Sequence, residues 1–248
     1  MGGSSINLIV RHSRISNSNK KDIFHKFIYQ NINYHVALCK TMENNIREKT
    51  PFGKNTKIVM IYNNVKKFEF EKIKNDKLVL LHTGRIAPGK GQVDAMRACE
   101  ILYKKDIDFI FYIVGGFQDK YKDEFMKIYK NLKYKDKIIL TGFSKEVEKY
   151  LQISDIFLFP SHGEGLGNSF LEALSAGLKC ISYDNTVFPE FKELGFDFAM
   201  VKNKDINALS KALLSVANKS AKFNVFKNKE IIKENFSNEA EKYLEILV

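Results

Sequence analysis

The chain has 248 residues, 44% of them hydrophobic and 28% charged, with a formal net charge of +11. That length and mix suit one large globular domain or two small ones, and no apolar run approaches the roughly 18 residues that cross a bilayer. Only five residues are Arg, few for a protein that reads guanine edges through bidentate contacts, and the aromatic residues fall mostly at core positions, so no nucleic-acid partner is expected.

"MGGSS" reads as an appended leader, and the start lacks the basic segment and long apolar run of a secretory signal. "INLIVRH", "YHVALCK" and "KIVMIYNN" predict three strands, with helices near 19–30 and 41–49. Residues 1–65 thus read as a truncated N-terminal α/β portion, too small to close a sheet well alone. "NNVKKFEFEKIKND" reads as a linker. From residue 77 strands and helices alternate: "KLVLLHT", then helical "KGQVDAMRACEILYKK"; "DFIFYIVGG", then "YKDEFMKIYKNLK"; "KIILTGF", then "KEVEKYLQIS". "DIFLFPS" precedes "NSFLEALSAG", "KCISYD" precedes "FPEFKEL", and "DFAMV" precedes "DINALSKALLSVAN". Continuous apolar strands separated by helices predict a doubly wound, parallel, Rossmann-like sheet over 66–228, with ligands at the carboxyl ends of the strands. Residues 229–248, "KEIIKENFSNEAEKYLEILV", predict one long closing helix.

Residues 1–70 carry twelve Lys or Arg against four acids. Taken by itself such a surplus suits anionic lipid, nucleic acid or an acidic substrate, or is a lysine-rich solvated face. Cys39, Cys99 and Cys180 lie far apart among apolar neighbours, the pattern of buried reduced thiols in a cytoplasmic protein. The five histidines form no H-x-x-x-H pair, and no metal site is expected.

Two strand-to-helix turns carry the chemistry. "TGRIAPGKGQ" is one residue from a phosphate-binding P-loop, but Gly91 stands where the Mg²⁺-ligating Ser or Thr belongs. Gly84, Gly89 and Gly91 let backbone N–H groups approach an anion, and Arg85 and Lys90 add two cations. The alternative is a glycine-rich turn with two solvated cations. "PSHGEGLGNSFLEALSAG" lies on the same sheet edge, with Glu164 and Glu172 separated by seven residues. A carboxylate in the turn can reach sugar hydroxyls, and one inside the helix can accept both hydroxyls of a ribose. Equally, "SFLE" has the spacing of a capping box, in which Glu172 only satisfies its own helix.

Taken together, "TGRIAPGKG", "FYIVGG", "IILTGF", "DIFLFPSHGEGLGNSFLEALSAG" and "FSNEAEKYLEIL" resemble the donor-binding half of retaining glycosyltransferases of the GT-B fold, especially family 4. The resemblance implies a nucleotide-diphosphate sugar donor, no metal cofactor, and a glycan or lipid-linked acceptor. It implies that Arg85 and Lys90 grip the diphosphate, Glu164 touches the donor sugar and Glu172 the ribose. Gly84, His162, Gly165, Leu166, Gly167 and Asn168 would line sugar and phosphates, and Gly142 and Phe143 the base. The departing phosphate would help deprotonate the acceptor on one face of the sugar, retaining configuration. Residues 229–248 would return toward the N-terminal portion. The family's acceptor-side residues have no counterpart here, so the resemblance implies a chain that is inactive alone. Family members that act at membranes often carry basic N-terminal surfaces, which implies a peripheral contact at the inner face of an anionic membrane. A GT-B-fold nucleotide-sugar epimerase and a non-catalytic nucleotide-sugar-binding module are the competing readings.

Overall fold

The computed structural model describes residues 7–247, so the leader read from "MGGSS" lies outside the described residues. The chain divides into two compact units. One comprises residues up to Asn64 with Glu164–Gly167 and Glu234 onward; the other comprises Val65–Gly163 and Asn168–Lys233.

The N-terminal unit is built from β1 (Ile9–Arg11), α1 (Ile23–Tyr29), β2 (Tyr34–Ala37), α2 (Lys40–Lys49) and β3 (Lys57–Met60). The strands pair in parallel, in the order β1-β2-β3. Asp22 caps α1, its carboxylate accepting from the N–H groups of Phe24 and His25. Val36, Ala37 and Met42 are fully buried, yet no residue of α1 is.

The larger unit follows the alternation of its sequence: β4 (Leu78–Thr83), α3 (Gln92–Ala98), α4 (Glu100–Lys104), β5 (Phe109–Val114), α5 (Lys122–Lys130), β6 (Ile138–Gly142), α6 (Val147–Ile153) and β7 (Ile156–Phe159). It continues with α7 (Asn168–Ser175), β8 (Lys179–Tyr183), α8 (Phe188–Glu193), β9 (Ala199–Val201) and α9 (Ile206–Ala217). All six strands are parallel, in the order β6-β5-β4-β7-β8-β9. The order reverses between β4 and β7, the point where such sheets hold ligands beyond their carboxyl ends. Side chains alternate between two cores, as a period of two requires. Leu80, Phe111, Leu158 and Ile181 pack with Met96 and Leu209 on one face. Phe157 and Phe159 meet Phe170 on the other, and Phe188 packs on both Phe159 and Phe170.

Three expectations fail locally. The helix expected over 90–105 is two, α3 and α4, meeting at Cys99, whose N–H is shared between Ala95 O and Met96 O. That bifurcation is a tightening toward 3₁₀ geometry rather than a stop. The "linker" is not free chain. Lys72 Nζ donates to Leu151 O and Ser154 O, Asn75 Nδ2 donates to Ile153 O, and the N–H of Ile73 donates to Gln152 O. These donors satisfy carbonyls at the end of α6 that no longer have a partner within their own helix. The closing helix is also two: α10 (Val225–Asn235) and α11 (Glu239–Leu247). Phe236, fully buried, packs on Tyr62 at the break. Glu239 and Asn64 exchange two backbone-to-side-chain hydrogen bonds of 2.8 and 2.9 Å, which fix where α11 starts.

Candidate functional site

The loops that leave β4, β5 and β6 are zipped together at the carboxyl edge of the larger sheet. The N–H of Gly84 donates to Val114 O, that of Ile86 to Gly116 O and that of Gly115 to Gly142 O, each at 2.9 Å. Gly115 permits this approach: a Cβ there would stand 1.9 Å from Gly84 O. The β5–β6 register slips between Ile113 and Val114, so that Thr141 bulges and Gly142 pairs with Val114. A bulge re-aims the neighbouring side chains, and Phe143 stands 76% exposed. The result is a cavity of about 410 Å³ bounded by Thr83–Arg85, Val114–Phe117, Phe143–Ser144 and Val147, and closed by Ser169 and Glu172 of α7.

Arg85 is exposed at this wall while its backbone is held, its carbonyl accepting from Gln92 Nε2 at 2.9 Å. Glu172, on α7, is half-buried. Burial pushes its carboxyl above the ordinary carboxylate range, with Lys66 opposing the shift. The capping-box reading fails. Ser169 lies inside α7 rather than before it, and neither its hydroxyl nor the Glu172 carboxylate makes a hydrogen bond among the described residues. The carboxylate faces a cavity with its acceptor capacity unspent.

Gly91 separates this turn from a P-loop. Its φ is +82°, and a Cβ would stand 2.1 Å from Pro160 O. A Ser or Thr cannot occupy this turn without backbone movement, so the loop is not a phosphate-binding P-loop lacking one hydroxyl. Gly91→Ser is expected to lower stability by more than about 2 kcal/mol, since overpacking and left-handed strain add. The check is urea melting, and a midpoint within error of the parent would overturn the assignment.

The loop bearing Lys90 is tied to the loop bearing His162. The N–H of His162 donates to Gly89 O at 2.8 Å, and His162 Nε2 lies 2.8 Å from Asp94 Oδ2. Tyr183 OH donates to the same oxygen at 3.0 Å, in a largely buried cluster. His82, fully buried under the turn, places Nε2 3.0 Å from Lys90 O. A carbonyl only accepts, so Nε2 carries the proton. Burial lowers the imidazole pKa to about 4.

Of the sequence-chosen residues, Gly84, Arg85, Phe143 and Glu172 line one cavity. Gly142 shapes it through the bulge. Lys90 and His162 are not among its walls; the imidazole of His162 is engaged with Asp94. Asn168 opens α7. Glu164, Gly165, Leu166 and Gly167 group with the N-terminal unit, where Cys39 Sγ donates to Gly165 O at 3.0 Å. Sequence reasoning misses Asp94 and Tyr183. Asp94 lies between the stripe positions Val93 and Met96, and no local signal marks it as the acceptor of two distant donors. All three cysteines are buried and no disulfide joins them. Among the described residues no group of three His, Cys, Asp or Glu is arranged to hold a metal ion, and no helix is long and apolar enough to cross a membrane.

A family model described as glycosyl transferases group 1 matches residues 63–238, more than half of the chain. This chain belongs to that family. Its fold is the GT-B type expected of the resemblance. A structure of Staphylococcus aureus TarM, in a variant form with fondaparinux, alpha-GlcNAc-glycerol and UDP, superposes with a TM-score of 0.80 at 22% identity, covering 97% of this chain and 50% of TarM. Among curated relatives, the UDP-Gal:alpha-D-GlcNAc-diphosphoundecaprenol alpha-1,3-galactosyltransferase of Escherichia coli is 27% identical over 146 residues, 58% of this chain and 38% of that one. The alpha-monoglucosyldiacylglycerol synthase of Acholeplasma laidlawii is 37% identical over 126 residues, 50% of this chain and 31% of that one. This group 1 chain therefore spans half or less of the length of each of these three proteins.

Proposed function

We propose that this chain is the donor-binding part of a retaining glycosyltransferase that uses a nucleotide-diphosphate sugar and needs no metal. The observation that carries the reading is Arg85 and Glu172 lining one cavity at the carboxyl edge of the parallel sheet. A guanidinium presents a planar fork of donors suited to phosphate oxygens. A carboxylate with two vacant oxygens suits a pair of vicinal hydroxyls. Phe143, exposed at the rim, offers a ring for a base to stack on. First-turn N–H groups of a helix point along its axis, and Ser169 in the first turn of α7 belongs to the cavity wall. The resemblance implies that Glu164 meets the donor sugar and Lys90 the diphosphate, although neither lines this cavity. In a retaining transfer of this kind the departing phosphate takes the acceptor's proton. Arg85 then stabilises the charge that develops on that phosphate, work that preorganised cations do well. UDP is the nucleotide bound to TarM, and it is the first to test here. The curated relatives suggest a glycan or lipid-linked acceptor in cell-surface glycan synthesis.

The test is calorimetric titration of UDP with and without chelator, into the parent and Arg85→Ala. Binding should persist in chelator, and the substitution should cost about 1.5–3 kcal/mol as a lost charge-assisted hydrogen bond. Abolition by chelator, or an unchanged affinity in Arg85→Ala, removes the phosphate-grip assignment.

A further inference from the structure

The turn between β4 and α3 is held by its carbonyls. Arg85 O accepts from Gln92 Nε2, Ile86 O from the N–H of Gln118, and Ala87 O from the N–H of Lys90. Gly89 O accepts from the N–H of His162, and Lys90 O from His82 Nε2. The negative ends of these peptide dipoles are taken up by protein donors instead of facing an arriving anion, as a preorganised anion site requires. Gln92 and His82 stand on α3 and β4, but His162 lies in the loop after β7 and needs a tether of its own. Its half-buried ring has one: Nε2 lies 2.8 Å from Asp94 Oδ2, and Tyr183 OH donates to that same oxygen at 3.0 Å. Asp94 is only 9% exposed. A buried carboxylate is costly unless its hydrogen bonds are made, and an apolar side chain would pack with less penalty. What the carboxylate gains is a clamp: His162 reaches α3 through its side chain and the end of the turn through its main chain.

We propose that Asp94 is a positioning residue for the donor diphosphate. It acts through His162, which holds Gly89 O and with it the backbone from which Lys90 projects. Gln92, two residues before Asp94 on the same first turn of α3, holds the other end of the turn at Arg85 O. The start of α3 thus fixes both ends of the segment that carries the two cations, and hydrogen bonds behind a site are what keep its charged groups in productive geometry. The inference rests on the donor-site reading and adds to it a residue that does not line the cavity and lies outside both glycine-rich motifs.

The experiment titrates UDP, pyrophosphate and uridine into the parent, Asp94→Ala, His162→Phe and the double variant, with melting curves alongside. Asp94→Ala should weaken UDP and pyrophosphate by roughly tenfold, well within what a misplaced group can cost, and leave uridine, which has no phosphate, unchanged. His162→Phe keeps the main-chain bond to Gly89 and a ring of similar size at a half-buried position. It should therefore fold even if Asp94→Ala does not, and show the same pattern across the three ligands. The double variant should bind no worse than the weaker single one, because residues that act as one unit do not add. Asp94→Asn keeps an oxygen for both donors and should bring affinity back to within roughly threefold of the parent. Variants that melt earlier yet bind UDP and pyrophosphate as the parent does overturn the inference and leave the donor-site reading standing. So do losses that multiply in the double variant, or an equal loss for uridine. A parent that binds no UDP removes the donor-site reading, and this inference with it.

Discussion

Glu172→Gln is expected to weaken UDP binding by roughly 1–3 kcal/mol, the cost of spoiling a charged hydrogen-bond pair, and to leave pyrophosphate binding unchanged. Gln replaces one carboxylate oxygen with an NH₂ donor, a poor match for a second hydroxyl that must itself donate. Pyrophosphate has no ribose and is indifferent to the change. The same substitution should not lower the stability of the unliganded chain. The Glu172 carboxyl titrates above its ordinary value because burial penalises the charged form. Between the unfolded pKa and that raised value the native state holds a proton the unfolded state has lost. Stability attributable to this group therefore falls as pH rises through that interval and stays lower at neutral pH. A neutral amide of the same shape removes the penalty. Weaker nucleotide binding with an equal or higher melting temperature is thus the expected pair of results, read by calorimetry and thermal denaturation at pH 7.5. Unchanged nucleotide affinity with earlier melting would mean that the carboxylate serves its own helix, and the ribose assignment would fall.

How much can be read from the chain alone differs between fold and site. The sheet is legible because strands buried on both faces leave uninterrupted apolar runs, such as "KLVLLHT" and "DIFLFPS", that no amphipathic helix reproduces. Their alternation with helical stretches leaves few topologies open. The features that escape depend on tertiary partners. Residues 66–76 look like a solvated linker because six of them are Lys or Glu; nothing local says that Lys72 and Asn75 will meet the carbonyls ending α6. "FSNE" in the closing stretch carries a cap signal that helical periodicity outweighs, although Asn64 makes it decisive. In the site, the pairing of Arg85 with Glu172 follows from topology, since the loops after the adjacent strands β4 and β7 lie at one edge. The S-x-x-E pattern misleads because a capping box requires Ser at the helix boundary, and α7 begins one residue earlier. The latch of Asp94 on His162 and Tyr183 spans 68 and 89 residues of sequence, and such pairings have no periodic signature.

Acid is expected to loosen the larger unit through His82. This imidazole is fully buried, close to the rings of Phe157 and Phe159, with Nε2 on Lys90 O and no partner for Nδ1 among the described residues. Charging it would place a cation in a pocket that offers nothing for its second N–H, and burial accordingly holds its pKa at about 4. An unfolded histidine titrates near ~6.5. Between those values the unfolded chain takes up a proton that the native fold refuses. The stability contributed by neutral His82 is therefore fully present above about pH 6.5 and is lost as pH falls toward 4. A depression of that size corresponds to roughly 3 kcal/mol. His12, held down in the same direction in the N-terminal unit, adds to the parent's acid sensitivity, so the comparison must isolate His82. His82→Phe extends the aromatic cluster and cannot titrate. It also orphans Lys90 O, a pH-independent cost of about 1–3 kcal/mol. Urea unfolding of both proteins at pH 7.5 and pH 4.5 should show the variant less stable at the higher pH and the gap closing, or reversing, at the lower. Because His82 supports the backbone of Lys90, UDP affinity of the variant should drop at pH 7.5 as well. Stability curves that run parallel between the two pH values would show that His82 accepts its proton in the folded state, and the account of its burial would be wrong.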